Sequence, residues 1–384
     1  MRRKRALRLR YVIIPIFAVA VFMFFFAGKS GEAESVVLEK ASVVSKESLS
    51  VLTPELIEEK GMTIDWDLQE YIANTVRRNK VSFASVVVMN ARTGDILALY
   101  GKGEEGEDNT LCLDTYLAAS LFKVVTAAAA IDSGAMSSKS KCAYNGNAHT
   151  LYKHQLTPKR NRWTREVTLE RAFALSNNVV FAKIGAMNLG ETPLLLTAMR
   201  MGFWKPPIEG IECSPSTLFI PQTQYNIAEL ASGFNRHTRI SPVHAAQMIT
   251  AVVNDGIMVR PRIVSSNATY SEQVIRDETA RELRYMMNQT IKRGTVSRTF
   301  WNCRYDRVLK DVQLGAKSGT IDGTDPEGRR NWFVGYAEHQ KSGEAITIAC
   351  LIIREDYYWI ESDDLSKKII RYYFSKPVTV AENN

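Results

Sequence analysis

The sequence predicts an α/β fold of the α+β type, in which helices flank one antiparallel sheet. Two strand hairpins are predicted far apart in the chain, at 82–101 and 330–356. Most residues between them follow a helical pattern, and a final helical segment follows the second hairpin. This order of hairpin, helical block, hairpin and helix indicates that the two hairpins share one sheet.

The N-terminal residues predict a transmembrane helix. Residues 1–10 form a basic tail with six Arg and Lys side chains, and residues 11–28 form an uncharged apolar run. A helix over that run is about 27 Å long, close to the roughly 30 Å hydrocarbon core of a bilayer. The basic tail favours a cytoplasmic N-terminus and an exported remainder. The alternative is a cleaved signal peptide, whose apolar region is normally shorter, about 7 to 15 residues.

Three further segments are predicted after the anchor. Residues 29–61 are rich in Ser, Glu, Lys and Val without clear periodicity, and are predicted to be a periplasmic linker with a short helix at 54–60. One folded domain is predicted over 62–376, followed by a tail at 377–384. At about 3.3 Å per residue, a stretched linker lets the domain stand well away from a membrane.

The domain is predicted to begin with a helix and a hairpin. Residues 65–79 place Leu68, Ile72 and Val76 on one helix face. The segments SFASVVVMN and DILALYG are typical of two strands, and ARTG between them puts Gly94 in the turn. The hairpin therefore supplies two strands of the sheet.

Four helices are predicted in the middle of the chain, and each is expected to end at a glycine, which adopts the left-handed conformation that closes a helix. These glycines are Gly134, Gly190, Gly256 and Gly294. The second helix is predicted to run without a break from LERAFALSNN to GAMNLG. The strands RNWFVGYAEH and EAITIACLIIRED and the helix SDDLSKKIIRYYF complete the domain.

Composition argues against two kinds of site. The net charge is +8, but six of the positive charges lie in the first ten residues, so no nucleic-acid surface is predicted. The five histidines form no HExxH or similar array, and no metal site or cofactor is expected.

The five cysteines include no CxxC pair, and their odd number leaves at least one unpaired within the chain. Cys350 lies in an apolar strand pattern and is expected to be a buried free thiol.

The stretch AASLFKVVTAAAA combines an apolar helix with a serine and a lysine in its first turn, Ser120 and Lys123. Residues three apart share one helix face, so the lysine can be the base that a weak serine nucleophile needs. It can act in this way only if burial or a nearby charge lowers its pKa toward neutrality. The spacing alone is not specific, because Ser138 and Lys141 repeat it in the polar segment SSKSK.

Two later motifs add polar groups to a candidate cleft. SNN at 176–178 offers the hydroxyl of Ser176 and the amide of Asn178. KSGT begins at Lys317 and precedes the strand pattern NWFVGY. Each motif occurs by chance, so the order of the motifs along the chain carries the information.

The ordered set SxxK, SxN, KSGT and WFVGY resembles the penicillin-binding transpeptidase domains, serine acyl-transferases whose motifs are SxxK, SDN and KTG. The segments MTIDWDLQEYIAN, VVVMNARTGDILAL and ISPVHAAQMITAVVNDG are also similar to that family, so the resemblance spans roughly residues 62–375. It implies a class B-like penicillin-binding protein with a β-lactamase/transpeptidase-like fold. That fold has a five-stranded antiparallel sheet flanked by helices and an all-helical subdomain.

The resemblance also implies a role for each motif residue. Ser120 attacks the carbonyl between the last two D-alanines of a peptidoglycan stem peptide, and Lys123 takes its proton. Ser176 relays a proton to the departing D-alanine, while Asn178 holds the substrate backbone and orients Lys123. Lys317, Ser318 and Thr320 bind the substrate carboxylate, and Gly319 lets the substrate approach the strand closely. The backbone N–H groups of Ser120 and Thr320 form the oxyanion hole.

The implied activity is D,D-transpeptidation, which cross-links peptidoglycan outside the cytoplasm of a bacterium, at its inner (plasma) membrane. The expected partners are stem peptides derived from lipid II, β-lactams, the bilayer and a glycan polymerase that is a separate protein. One alternative is a D,D-carboxypeptidase or a class D-like β-lactamase, although class D enzymes usually have valine where Asn178 stands. An alternative of another class is a β-lactam sensor or scaffold without turnover.

The sequence departs from the family pattern at ASGFN, 231–235, where the family commonly has Gly-Gln-Gly before the SPVHAA-type segment. This departure concerns one wall of the cleft and the acceptor specificity. Ser318 also stands where threonine is frequent in the third motif, and either residue supplies a hydroxyl.

Overall fold

The computed structural model describes residues 44–354 and 360–376, which contain a six-stranded antiparallel sheet packed against helices. The α/β class predicted from the sequence is therefore confirmed for this part of the chain. The predicted basic tail, transmembrane helix and C-terminal tail lie outside the described residues, as do residues 29–43 of the predicted linker.

The helices and strands of the described chain have the following bounds. The helices are α1 (Lys46–Ser50), α2 (Pro54–Lys60), α3 (Trp66–Arg78), α4 (Lys123–Asp132), α5 (Leu169–Ala174), α6 (Asn178–Lys183), α7 (Glu191–Arg200), α8 (Gln224–Ser232), α9 (Pro242–Val253), α10 (Asp277–Arg293), α11 (Ser297–Phe300) and α12 (Ser362–Ser375). The strands are β1 (Phe83–Asn90), β2 (Ile96–Gly103), β3 (Gly106–Glu107), β4 (Tyr116–Leu117), β5 (Lys141–Tyr144), β6 (Arg165–Thr168), β7 (Arg239–Ile240), β8 (Ile257–Val259), β9 (Ser271–Gln273), β10 (Val312–Thr324), β11 (Glu327–His339) and β12 (Ala345–Arg354).

The strand order in the sheet is β10-β11-β12-β1-β2-β3. The predicted number of five strands is therefore corrected to six by the short edge strand β3, whose Gly106 and Glu107 pair with the end of β2. The segment GKGEEGED has no alternating apolar residues that could reveal this strand. The opposite edge is β10, which pairs with β11 along its whole length.

Strand β1 separates two apolar cores, because successive side chains of a strand point to opposite faces of the sheet. Val86 and Val88 belong to the core that contains residues of α3 and α12. Val87 and Met89 belong to the larger core, which contains residues of α4 and α9. Helix α4 carries the SxxK lysine, so the larger core is the one that supports the candidate site.

Two local predictions near the start of the domain are confirmed. Helix α3 buries Leu68, Ile72 and Val76 completely. The turn between β1 and β2 contains Gly94 with a φ of +80°, and a Cβ atom there would lie 2.2 Å from the carbonyl oxygen of Arg260. The turn therefore requires glycine both for its conformation and for its close approach to a neighbouring chain segment.

The described part of the predicted linker is packed against the domain. Val44, Leu49 and Leu52 are at most 6% exposed and belong to the larger core. Helix α2 lies where the short helix is predicted. Residues 44–61 are therefore folded chain, and the spacer predicted over 29–61 does not extend to them.

The helix predicted to run continuously through SNN is broken at that motif, which corrects the prediction. Helix α5 ends at Ala174 and α6 begins at Asn178, and Ser176 between them has a φ of +54°. The side chain of Asn177 accepts a hydrogen bond from the Val180 amide at 3.0 Å and caps the new helix. The flanking residues keep the apolar pattern of a helix, so hydrophobic periodicity does not reveal the break.

Two further findings concern the described residues. Within 44–354 and 360–376, no single helix has the length and apolar character needed to cross a membrane; only Asn178–Leu189 and Glu191–Arg200, bent by 106°, pass this test as a pair, on length and composition. The five cysteines are free, and Cys350 is fully buried as predicted.

Candidate active site

The SxxK motif forms the entry to helix α4. Residues Ala119–Phe122 make a 3-10 turn that leads directly into the helix, which begins at Lys123. Ala119 has a φ of +48°, an uncommon conformation for a residue with a side chain. In this turn the Nζ atom of Lys123 lies 2.7 Å from Oγ of Ser120. The serine and lysine predicted as nucleophile and base are therefore in direct contact.

Lys123 is completely buried, and its amine has three neighbours. Besides Ser120, Nζ contacts Oδ1 of Asn178 and the backbone carbonyl oxygen of Ser232, each at 2.7 Å. These two oxygens can only accept hydrogen bonds. A neutral amine has two N–H groups and one lone pair, so when both N–H groups serve these oxygens the lone pair is left for the Ser120 hydroxyl. The contacts thus suit a neutral lysine that accepts the serine proton.

Burial and charge both favour that neutral form. The pKa of Lys123 is well below its ordinary value, first because burial removes water from the ammonium group and second because the Lys317 ammonium is nearby. The Phe181 ring, whose centroid is 5.8 Å from Nζ, gives the charged form only weak compensation.

The amide of Asn178 is held so that its oxygen faces Lys123. Its Nδ2 atom donates to the carbonyl oxygen of His149 at 2.8 Å, which fixes the orientation of the side chain. Its backbone N–H donates to the carbonyl oxygen of Ala148 at 2.7 Å. The break in the helix at SNN therefore turns Ser176 and Asn178 toward the cleft.

The second buried lysine lies on the edge strand. Nζ of Lys317 donates to Oγ of Ser176 at 2.9 Å and to the carbonyl oxygen of Ser318 at 2.6 Å. The side chain is 0% exposed, and burial lowers the pKa of Lys317 to about 7. This lysine therefore links strand β10 to the SNN motif and is partly charged near neutral pH.

The rest of the KSGT motif borders Ser120, the predicted nucleophile. A Cβ atom on Gly319 would lie 3.2 Å from Cβ of Ala119, so the strand passes close to the turn that carries Ser120. Ser318 shares a hydrogen bond with Thr295 Oγ1 at 2.5 Å. Nε1 of Trp332, on β11, donates a hydrogen bond to the carbonyl oxygen of Leu117 at 2.9 Å. This bond connects the sheet to the chain just before the turn that carries Ser120.

Together these elements enclose a cleft of about 570 Å³. The predicted site residues that line it are Ser120, Ser176, Asn178, Ser318, Gly319 and Thr320. Lys123 and Lys317 are buried and reach the cleft through their hydrogen bonds to Ser120 and Ser176. All eight predicted residues thus belong to one constellation, and their catalytic roles stay predictions, as does the oxyanion hole.

Several residues of the site have no motif in the sequence. Ser232 contributes only its backbone carbonyl oxygen, and His149 acts through its backbone as well. Thr295 reaches Ser318 from the end of α10, and Arg236 lines the cleft from the ASGFN side. Backbone acceptors leave no trace in residue identity, so only the ASGFN departure indicated that this wall differs.

Comparison with known proteins agrees with this geometry. The family model of the penicillin binding protein transpeptidase domain matches residues 84–369. Penicillin-binding protein PbpB of Mycolicibacterium smegmatis is 25% identical over 332 residues, which cover 78% of this chain and 47% of that protein. Peptidoglycan D,D-transpeptidase PbpA of the same organism is 26% identical over 258 residues, covering 62% of this chain and 50% of that protein.

The fold is also found among solved structures. Penicillin-binding protein A from M. tuberculosis, solved as a penicillin G acyl-enzyme complex, has a TM-score of 0.62 and 20% identity, covering 82% of this chain and 80% of that one. The chain spans about half the length of the curated relatives described above. Because the family model matches well over half of its residues, the chain belongs to the family of penicillin-binding protein transpeptidase domains.

Proposed function

We propose that this chain is a membrane-anchored peptidoglycan D,D-transpeptidase that works through an acyl-enzyme on Ser120 and is acylated there by β-lactams. The observation that carries the proposal is the fully buried amine of Lys123, held between Ser120, Asn178 and the Ser232 carbonyl oxygen. A lysine buried without a carboxylate partner is costly for folding, and a catalytic base explains why this chain keeps one.

The first half-reaction forms the acyl-enzyme. Ser120 Oγ attacks the carbonyl carbon of the penultimate D-alanine while its proton passes to neutral Lys123. The oxyanion that forms is stabilised by the backbone N–H groups of Ser120 and Thr320, each worth roughly 3 to 4 kcal/mol in comparable hydrolases. The C–N bond then breaks, and the nitrogen of the departing D-alanine takes up a proton.

Ser176 delivers that proton. Its Oγ accepts a hydrogen bond from Lys317, which leaves its own O–H free to point at the leaving nitrogen. Lys123 returns to its neutral form as the proton is passed on. In the second half-reaction an acceptor amine attacks the acyl carbon and loses a proton to Lys123. The new amide forms as the bond to Oγ breaks, and Ser120 Oγ takes that proton from Lys123, which returns the enzyme to its starting state.

The remaining motif residues bind the substrate. Lys317 supplies positive potential for the terminal carboxylate, and the hydroxyls of Ser318 and Thr320 donate hydrogen bonds to it. Gly319 leaves room for the substrate beside the strand. The space there is narrow, because a Cβ atom added to Gly319 would lie only 3.2 Å from Cβ of Ala119. Asn178 binds the substrate backbone from the opposite wall.

The proposed arrangement in the cell follows from the N-terminal sequence. Residues 1–10 are a cytoplasmic tail, 11–28 a single transmembrane helix and 29–43 a spacer in the periplasm. The catalytic domain then acts on stem peptides outside the inner membrane. No nucleic acid, metal or cofactor takes part in the proposed reaction.

The test is covalent labelling of the full chain in detergent with a fluorescent penicillin. Wild type is expected to be labelled, and Ser120→Ala is expected to lose the label completely. Ser138→Ala is the matched control, because Ser138 has the same spacing to a lysine and lies outside the cleft. Undiminished label on Ser120→Ala, or no label on wild type, contradicts the proposal.

The fate of the label separates the alternatives. Rapid loss of label with hydrolysed drug favours a β-lactamase, whereas stable label is expected of a transpeptidase. A stem-peptide assay with an added acceptor amine then distinguishes a cross-linked product from the hydrolysed product of a D,D-carboxypeptidase. Stable label without turnover of any stem peptide favours a sensor or scaffold.

A further inference from the structure

A groove of about 340 Å³ adjoins the catalytic cleft on the ASGFN side. We call it the side groove; the residues used below are Phe219, Glu229, Phe234, Asn235, Arg236 and His237. Phe234 and Arg236 line both the side groove and the cleft. A substrate bound in the cleft can therefore extend into the side groove without leaving the surface.

The wall between the two spaces is fixed to the catalytic centre. Gly233 closes helix α8 with a φ of +65°, and a Cβ atom there would lie 2.0 Å from the carbonyl oxygen of Ala119. The preceding carbonyl, of Ser232, accepts the hydrogen bond from Lys123. The backbone is thus tied at both residues to the turn that carries the nucleophile.

The next residues form a tight turn. Oδ1 of Asn235 accepts hydrogen bonds from the backbone N–H groups of His237 and Thr238, at 2.9 and 2.7 Å. Phe234 N–H donates to the carbonyl oxygen of Glu229 at 2.9 Å. Arg236 lies between these contacts, so the backbone that carries it has a defined position at the rim of the cleft.

Arg236 is an exposed cation without an ion-pair or hydrogen-bond partner among residues 44–354 and 360–376. The other arginine that lines the cleft differs, because Arg329 pairs with Asp322 at 3.0 Å. Glu229 lines the side groove too, but it accepts a hydrogen bond from Asn226 and makes no described ion pair with Arg236. Arg236 is therefore available for an anion of the substrate.

The side groove also offers an apolar surface, which lies above a buried asparagine. Phe219 and Phe234 are 37% and 44% exposed, and the His237 ring packs on Phe219 with centroids 5.3 Å apart. Asn235 is only 8% exposed, and its Nδ2 atom has no hydrogen-bond partner within the described chain. This combination suits an acyl chain that ends in a carboxylate.

The direction of strand β10 indicates which part of a bound substrate lies next to the side groove. Ser318 contacts Thr295 at one end of the motif, where the terminal carboxylate is bound in the proposed function. Further along the chain, Asp325 pairs with Arg239 at 3.5 Å, which brings the segment after Arg236 to the far end of the strand. A substrate with its carboxylate near Ser318 and its reacting carbonyl at Ser120 therefore directs its acyl-donor portion toward Arg236.

We propose that the side groove is a donor subsite in which Arg236 recognises a second carboxylate, carried by the acyl portion of the substrate. This inference rests on the proposed function and names the substrate class: acidic acyl donors. The ion pair is exposed, so its contribution is modest and falls as salt screens it.

The test compares two penicillins whose acyl side chains have equal numbers of carbons, hexanoyl and adipoyl, of which only the second ends in a carboxylate. Their second-order acylation rates are measured on the full chain in detergent. Arg236→Gln is expected to lower the adipoyl-to-hexanoyl rate ratio about threefold, and Arg236→Glu about tenfold. Arg236→Lys is expected to keep most of the ratio. Added salt is expected to lower the ratio in wild type and in Arg236→Lys, but not in Arg236→Gln.

Arg307→Gln is the matched control, since Arg307 is an exposed arginine outside both the cleft and the side groove. It is expected to leave the ratio unchanged. A ratio that does not depend on residue 236, with both penicillins still acylating Ser120, overturns the donor subsite and leaves the proposed function standing. Absence of acylation by either penicillin in wild type overturns both.

Discussion

Two serine–lysine pairs with the same spacing lie in different surroundings in this molecule. Lys123 is fully buried and contacts Ser120 at 2.7 Å. Lys141 is exposed as the first residue of β5, and Ser138 lies in the turn before that strand. The spacing brings side chains together only on a helical turn, so the second pair lacks the geometry that the first pair has.

The difference extends to the groups that surround each lysine. Lys123 is met by Asn178 and by the carbonyl oxygen of Ser232, both more than fifty residues away along the chain. Lys141 has no side-chain partner among the residues that the structure describes. The surroundings of the Ser120–Lys123 pair are therefore built by distant segments that exclude water and supply hydrogen-bond acceptors, and the local motif alone does not provide them.

Replacing each lysine by methionine is expected to show the largest difference in acylation rate between the two serine–lysine pairs. Lys123→Met removes the base, so the rate of Ser120 acylation by a fluorescent penicillin is expected to fall about a thousandfold. Lys141→Met is expected to leave the rate within twofold of wild type. A Lys123→Met protein that folds by circular dichroism and still acylates at the wild-type rate would show that another group takes the serine proton.

Substitution of the neighbouring Asn177 and Asn178 tests whether the hydrogen-bond partner of Lys123 matters beyond its effect on stability. Asn178→Ala removes one acceptor of Lys123, and the acylation rate is expected to fall about 10- to 100-fold, in line with the worth of a hydrogen bond to a charged group. Asn177→Ala removes the α6 cap instead and is expected to cost about 1 kcal/mol of stability with a smaller loss of rate. Stopped-flow acylation and thermal unfolding measure the two effects. Equal rates for the two variants would argue against a role for Asn178 beyond structure.

The pH dependence of acylation tests the buried environment. Lys123 must be neutral to accept a proton, so below its pKa the rate is expected to fall about tenfold per pH unit. Lys317 must be charged to hold the carboxylate, so the rate is expected to decline again as pH rises past its pKa of about 7. Lys141→Met should have an unchanged profile. A flat profile between pH 5 and 9, measured as the second-order rate, would contradict the expected loss of charge on Lys317.

The smallest expected effect is on stability. The pKa of Lys317 falls from an ordinary 10.5 to about 7 on folding, so its burial destabilises the fold fully below about pH 7, and that cost is relieved as pH rises toward 10.5. Lys317→Met is therefore expected to raise the free energy of unfolding by about 1 to 3 kcal/mol at pH 7. The gain in Tm over wild type should shrink between pH 7 and 10. Lys141→Met, at an exposed position, serves as the control, and a Lys317→Met protein that is no more stable than wild type contradicts the expectation.

The sequence predicts the elements whose signal is periodic and local. Helix α3 with Leu68, Ile72 and Val76, the hairpin at Gly94, and the long strands β11 and β12 all follow from spacing and turn chemistry. Strand β3 is missed because two residues of a polar segment carry no alternation. Packing of residues 44–61 on the domain is missed because three scattered apolar residues do not make a periodic face.

The candidate site divides in the same way. Its eight residues could be named from motifs that occur in a fixed order, whereas the helix break at Ser176 and the carbonyl oxygen of Ser232 could not. The break depends on Asn177 capping a new helix within an apolar pattern. The carbonyl depends on where the chain ends α8, and residue type says nothing about that position. Side chains that take part in a site can thus be predicted from sequence motifs, whereas backbone groups that take part can be identified only from the structure.

The contact between Gly233 and Ala119 limits which positions of this protein can change in evolution. Any side chain at position 233 would collide with the loop that carries the nucleophile, so that position is closed to variation. Positions 234 and 236 point outward from the same wall and are exposed. If the proposed function and donor subsite hold, single substitutions at 234 and 236 can change substrate preference while Lys123 keeps its hydrogen-bond partners.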